Sequence, residues 1–219
     1  MKRIKAARLA EPPPINADWD KSCWRGVQAA MIGNYMGDRP AHFPKTQVKV
    51  ACDEQAMYVI FCVEDQYVRA VAAEHQDDVY KDSCVEFFFA PNAESPGDYF
   101  NLEVNCGGTM LFQFHRPARG EHVEIPREAL AQIEIASSLP RTIDPEIPDP
   151  VTWTVEYRLP LAILEEYCDV TRPSLGVAWR ANFYKCADES SRPHWLTWAP
   201  VENPTPNFHL PEFFGLLEF

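Results

Sequence analysis

The sequence predicts an all-β fold: an antiparallel β-sandwich of jelly-roll or immunoglobulin-like type, with one or two short helices. Three observations predict it. Apolar residues recur with period two through about eight short segments. Clusters of Pro, Gly, Asn and Asp separate those segments. Only two stretches read as helix, and both are short.

In chain order, residues 1–14 read as an N-terminal extension that runs into Glu11 and three prolines. Residues 24–31 suggest a short helical turn. Val48, Val50 and Cys52 alternate with Gln47, Lys49 and Ala51; Asp53 to Gln55 is turn-like; then Met57, Val59, Phe61 and Val63 alternate with Tyr58, Ile60, Cys62 and Glu64. That pattern is a β-hairpin. Further strands are expected over 83–90, 98–106, 109–115, 131–136, 151–158 and 176–186, and Pro160 opens a helix of about two turns. Twenty prolines mark stiff, irregular loops. The segment 140–150 is expected to be a mobile surface excursion. No repeat and no Gly/Ser-rich linker divides the 219 residues, so a single domain over 1–219 is expected.

Composition narrows the partners. A net charge of -12 weighs against nucleic acid or an anionic membrane, because phosphate neutralisation needs clustered Lys and Arg. A neutral ligand or a cation is favoured. No apolar run reaches the ~18 residues of a membrane span. The N-terminus starts with Lys2 and Arg3 but meets Glu11 and Pro12 before a signal-peptide core can form. As it stands the chain reads as cytoplasmic, or as extracellular or periplasmic if a leader has been trimmed. Thirteen Phe, eight Tyr and six Trp exceed what a minimal core needs, so some aromatics are expected to be exposed for contact. Seven cysteines cannot all pair and show no Cys-x-x-Cys spacing, so they read as small buried hydrophobes.

Strand alternation sorts the remaining polar residues by face. With Val85, Phe87 and Phe89 inward, Glu86 points outward. With Phe100, Leu102 and Val104 inward, Asn101, Glu103 and Asn105 share the outer face; with Trp179, Ala181 and Phe183 inward, Arg180, Asn182 and Tyr184 do. Carboxylates, carboxamides and a guanidinium suit a sugar, whose hydroxyls both donate and accept and whose C–H faces want a flat apolar surface. Tyr80, Trp195 and Trp198, in loops or at strand ends, are the aromatics nearest those residues; Trp153 and Trp179 fall in phase with the core. Any sandwich strand shows a polar outer face, so this pattern alone does not separate a ligand site from a solvated one.

Five segments sharpen the reading. They are Val79 to Pro91 with its Val85-Glu86 pair, Asp65, Tyr99 to Gly107, Arg180 to Cys186 followed by Pro193 to Pro200, and the ending Pro206 to Gly215. In that order they resemble the family 9 carbohydrate-binding modules, especially the free-standing family-9-like proteins, from about Ile15 to Phe219. The resemblance implies non-catalytic binding of a mono- or oligosaccharide clamped between two aromatic side chains. By that pattern Tyr80 is one plate, where a Trp is usual, and Trp198 the other. Glu86 is the hydroxyl-binding acid, Arg180 and Asn182 lie on the strand that adds polar contacts, and Asn105 and Trp195 complete the expected set. No cofactor is required, although such modules often carry structural calcium. Glu64, Asp65, Asp77, Asp78 and Asp82 concentrate hard oxygen ligands, without EF-hand spacing.

Two other classes stay open at this level. Glu86 and Glu103 on neighbouring strands would be a carboxyl pair for glycoside hydrolysis, if their separation suits it. A haem-binding domain of the related superfamily would need an axial Met and His on an open sheet face, and Met57 and Met110 sit in strand patterns instead. His75, His115, His122, His194 and His209 show no metal-ligand spacing, and no nucleophile elbow, phosphate loop or dinucleotide fingerprint is present.

Overall fold

A computed structural model describes residues 1–219, and in it the period-two segments become two antiparallel-dominated sheets packed face to face. The first has Cys84–Ala90 near its centre, flanked by Ala178–Cys186 on one side and by Tyr99–Asn105 and Met110–Arg116 on the other. The second is built on the hairpin Lys45–Cys52 and Ala56–Asp65, with Val151–Pro160 paired to it over ten residue pairs. Val85, Phe87, Phe89, Phe100, Leu102 and Phe183 from the first sheet meet Val48, Val59, Phe61, Val63, Trp153 and Val155 from the second in one buried core. Phe87 stacks on Phe183 with ring centroids 4.9 Å apart. Trp153 and Trp179 lie in this core, as their phase requires.

Both outer faces are covered as well, which alternation does not reveal. On the second sheet, Tyr58 and Ile60 pack under Trp24. Glu156 is buried there, accepting from the backbone N–H groups of Asn16 and Ala17 and from Trp24 Nε1. On the first sheet, Phe88, Tyr99 and Tyr184 lie under Val201, Phe208 and Phe214 of the C-terminal segment. Every residue of Cys84–Ala90 and of Tyr99–Asn105 is therefore buried on both faces.

Several expectations need correction. The N-terminal residues are edge strands: Arg3–Lys5 pairs with Gly215–Glu218 and Ala7–Arg8 with Lys45–Cys52. Within 140–150, Ile143–Ile147 forms a small ladder with Val68–Ala70, and Ile143 is buried. The helices Ser22–Arg25 and Leu161–Glu165 are about one turn each, and Arg127–Leu130 is a third. Met57 and Met110 point into the core between the sheets, so neither faces an open surface where it would ligate haem iron.

Candidate ligand-binding site

The cover on the first sheet leaves a gap. The 3-10 turn Val79–Lys81 and the segment around Pro206 to His209 bound a cleft of about 230 Å³ whose floor is the outer face of the sheet. That volume lies below the ~300 Å³ at which sites for drug-sized ligands begin, so it suits one ring rather than a chain. Tyr80, Trp195, Phe88 and Phe208 supply aromatic wall and floor, and Glu86, Glu103 and Asp188 supply carboxyls. A larger hollow of about 630 Å³ lies elsewhere, beside Lys5, Arg8 and Phe219. It has no comparable grouping of carboxyls and aromatic rings.

The end of Ala178–Cys186 organises the cleft. Cys186 stands opposite Cys84 on one side and Trp195 on the other. Asp188 lies two residues further on, and its backbone N–H donates to the Tyr80 carbonyl at 3.2 Å. Trp195 Nε1 donates to Asp188 Oδ1 at 2.8 Å. Tyr80 and Trp195, 115 positions apart in the chain, are thus tethered to the same residue. Phe208 is fixed by stacking on Tyr184 at 4.1 Å and by accepting at its carbonyl from the Tyr184 hydroxyl.

Glu86 and Glu103 are opposite one another in the register and are 1% and 4% exposed. Glu86 Oε1 accepts from the Cys186 thiol at 3.0 Å, and Glu103 Oε1 accepts from Asn101 Nδ2 at 2.8 Å. The second oxygen of each is buried without a partner. Buried acceptors left so are costly in isolation and mark a place where a donor belongs. Burial, then the neighbouring Cys186 and Glu103, push the Glu86 carboxyl well above its usual range. Burial raises Glu103 too, against the lowering effect of Asn101. It pushes Asp188 up to about 6 despite the Trp195 hydrogen bond. A carboxyl raised in this way donates as well as accepts once it takes up its proton.

Of the seven residues singled out in the sequence, the structure brings Tyr80, Glu86 and Trp195 together and places four elsewhere. Trp198 is 2% exposed and packs edge-on against Phe183 in the core. Arg180 reaches out to donate to the carbonyls of Pro211 and Glu212, tying down the C-terminal turn. Asn182 pairs with the backbone of Ala199 through both its amide and its oxygen. Asn105 caps a turn, accepting from Gly107 and Thr109 and donating to Asp82. Arg180, Asn182 and Asn105 each satisfy backbone that a polar outer face alone would have left to solvent. Asp188, Cys186, Phe208 and His209 line the cleft without having been singled out. Cys186, Phe208 and His209 belong to the quoted end segments, while Asp188 falls between two of them and carried no signal.

The five acidic residues offered for calcium do not converge. Glu64 pairs with Lys45, Asp78 with Lys81, and Asp77 accepts from the Glu74 backbone. Asp82 accepts from Val71, Ala72 and Asn105. Asp65 lies 2.7 Å from His42 and 3.5 Å from the buried Lys185. They do not fit a shared calcium ion.

The sequence pattern of carbohydrate-binding family 9 matches residues 24–219. The fold is similar to that of a candidate carbohydrate-binding protein from Bacteroides uniformis, with a TM-score of 0.88 and 25% identity over 99% of this chain and 98% of that one. It is similar too to a family 9 module from Caldicellulosiruptor kristjanssonii solved with cellotriose, with a TM-score of 0.66 and 19% identity over 99% and 93% of the two chains. An extracellular protein of Arthroderma benhamiae is 22% identical over 188 residues, covering 81% of this chain and 79% of that protein.

Proposed function

The chain belongs to carbohydrate-binding family 9, and from that premise we propose that it holds one sugar ring, without cleaving it, in the cleft walled by Tyr80 and Trp195. One observation carries the reading: the Trp195 side chain and the Tyr80 backbone are tied to the same residue, Asp188, beside two buried carboxyl oxygens that lack donors. Sugar hydroxyls supply donors for Glu86 and Glu103, and a pyranose C–H face supplies the flat apolar surface that the rings accept. The enclosed volume favours a monosaccharide or the terminal ring of an oligosaccharide. The acceptor-rich lining, with no Lys or Arg in it, favours neutral sugars over uronic acids.

The Glu86–Glu103 pair is the one feature that also suits hydrolysis. Calorimetry against glucose, xylose, cellobiose and xylobiose, followed by chromatography of the sugars, decides between the two. Saturable heat with the disaccharides recovered intact supports binding. Loss of a disaccharide makes the pair a catalytic one, and absence of heat with all four removes these sugars from the reading.

A further inference from the structure

Deep in the cleft, three donor atoms converge, while Lys185, next to Cys186 in the chain, turns its ammonium away to Asp65 and His194. Cys84 and Cys186 are paired across neighbouring antiparallel strands, and Glu86, two residues after Cys84, projects from the same face. The two sulfurs and a Glu86 carboxylate oxygen all lie within 4.8 Å of one another, and all three residues are buried. A tetrahedral zinc with ~2.3 Å bonds to sulfur spaces its sulfur ligands roughly 3.8 Å apart, which fits inside that limit. Cys186 Sγ is already 3.0 Å from Glu86 Oε1, while Glu86 Oε2 has no partner. Cys84 Sγ lies 3.7 Å from the Val85 carbonyl, and Cys186 Sγ lies 3.4 Å from the Tyr80 carbonyl as well.

Nothing in the surroundings competes. Glu103 and Asp188 add negative potential to the cleft, and its lining contains no Lys or Arg. Glu86 and Cys186 both border the open volume whereas Cys84 lies behind them, so a fourth position at such a centre faces the cleft.

We propose that Cys84, Glu86 and Cys186 form a site for a borderline-soft divalent cation, best matched by zinc, with its open position directed at the cleft. Two sulfurs and one carboxylate are a zinc donor set; calcium and magnesium require oxygen ligands. Loading breaks two S–H bonds, forms two metal–sulfur bonds and one metal–oxygen bond to Glu86, and sends the thiol protons, with the proton of Glu86 where it is protonated, to solvent; no electron is transferred. Because binding deprotonates both thiols, uptake strengthens as pH rises. The site does not depend on the sugar reading and is tested without sugar.

Cobalt(II), a spectroscopic substitute for zinc, is added to the reduced full-length protein. Sulfur-to-cobalt charge-transfer bands in the near ultraviolet and ligand-field bands in the visible are expected, abolished by one equivalent of zinc. Cys23→Ser should leave them intact. Cys84→Ser and Cys186→Ser should each remove most of the charge-transfer intensity. Glu86→Gln keeps both thiols and the side-chain shape, so it guards against misfolding of the cysteine variants, and should weaken zinc at least about tenfold. Absence of charge-transfer bands in the folded wild-type protein, or bands that persist at full intensity when Cys84 and Cys186 are both replaced, overturns the proposal. Unchanged zinc affinity in Glu86→Gln overturns the three-ligand site.

Discussion

Trp195 donates its indole N–H to Asp188 Oδ1 at 2.8 Å, and the Asp188 backbone N–H donates in turn to the carbonyl of Tyr80. One acidic residue therefore sets the positions of both aromatic walls. Asp188→Ala should free the Trp195 ring while leaving the backbone link intact. Sugar affinity should fall by ~1 to 2 kcal/mol, the value of a hydrogen bond to a carboxylate, with cooperative unfolding retained. Calorimetry and thermal melts on the same variant check both halves.

Trp198 has a different job. Its indole is sealed between Phe183 and Gly215, and a Cβ on Gly215 would stand 2.5 Å from the Trp198 ring and 2.8 Å from the Lys2 carbonyl oxygen. Trp198→Ala should cost about 3 to 5 kcal/mol in denaturant unfolding. Gly215→Ala should cost about 1 to 3 kcal/mol, because backbone as well as side chain must give way.

Arg180 acts on the cleft at one remove. By donating to the carbonyls of Pro211 and Glu212, it anchors the segment that carries Phe208 and His209 over the sheet. Arg180→Ala should accelerate amide exchange around residues 208–214 and weaken sugar binding modestly, by about 1 kcal/mol. Core amides on Cys84–Ala90 should keep their protection.

His194 makes stability depend on pH. Burial, followed by the adjacent Lys185 charge, lowers its pKa to about 3; the Arg192 carbonyl and Asp65 oppose this, and His42 adds to it. Because the folded value lies below the unfolded ~6.5, the unfolded chain takes up the proton first. The contribution is complete above pH ~6.5 and is lost as pH falls from there toward about 3. Replacing His194 with Gln removes this proton uptake. Its unfolding free energy should decline less steeply than the wild type's between about pH 6 and 4.

Much of this was legible in the sequence, and for one reason. Period two, read through Phe87 and Phe89 or Val59 and Phe61, fixes which face meets the core. Hence the hairpin and the strands around 84–90, 99–105, 110–116, 151–160 and 178–186 agree with the structure, whereas 131–136 is strand only from Glu134 and the turn expected over 24–31 gives way to the strand Ala30–Ile32. The same rule says nothing about what lies above the other face, where Arg180, Asn182 and Asn105 find their partners. Their partners are carbonyls and amides of loops such as Ala199, Pro211 and Gly107, whose paths no periodicity encodes. Trp198 among prolines looked like an exposed loop aromatic, yet its backbone N–H donates to the Phe183 carbonyl and the ring turns inward. Lys185 shares the inward phase of Phe183 and sits fully buried against Asp65 and His194, a pairing that only the tertiary structure makes visible.

The central claim is that the sugar lies against Trp195. Tryptophan fluorescence of the wild type, Trp195→Ala and Trp198→Phe, titrated in parallel with glucose and cellobiose, tests it most directly. A saturable change is expected in the wild type, with its retention in Trp198→Phe and its disappearance together with calorimetric binding in a folded Trp195→Ala. Undiminished calorimetric affinity in Trp195→Ala would contradict it and move the sugar out of the cleft.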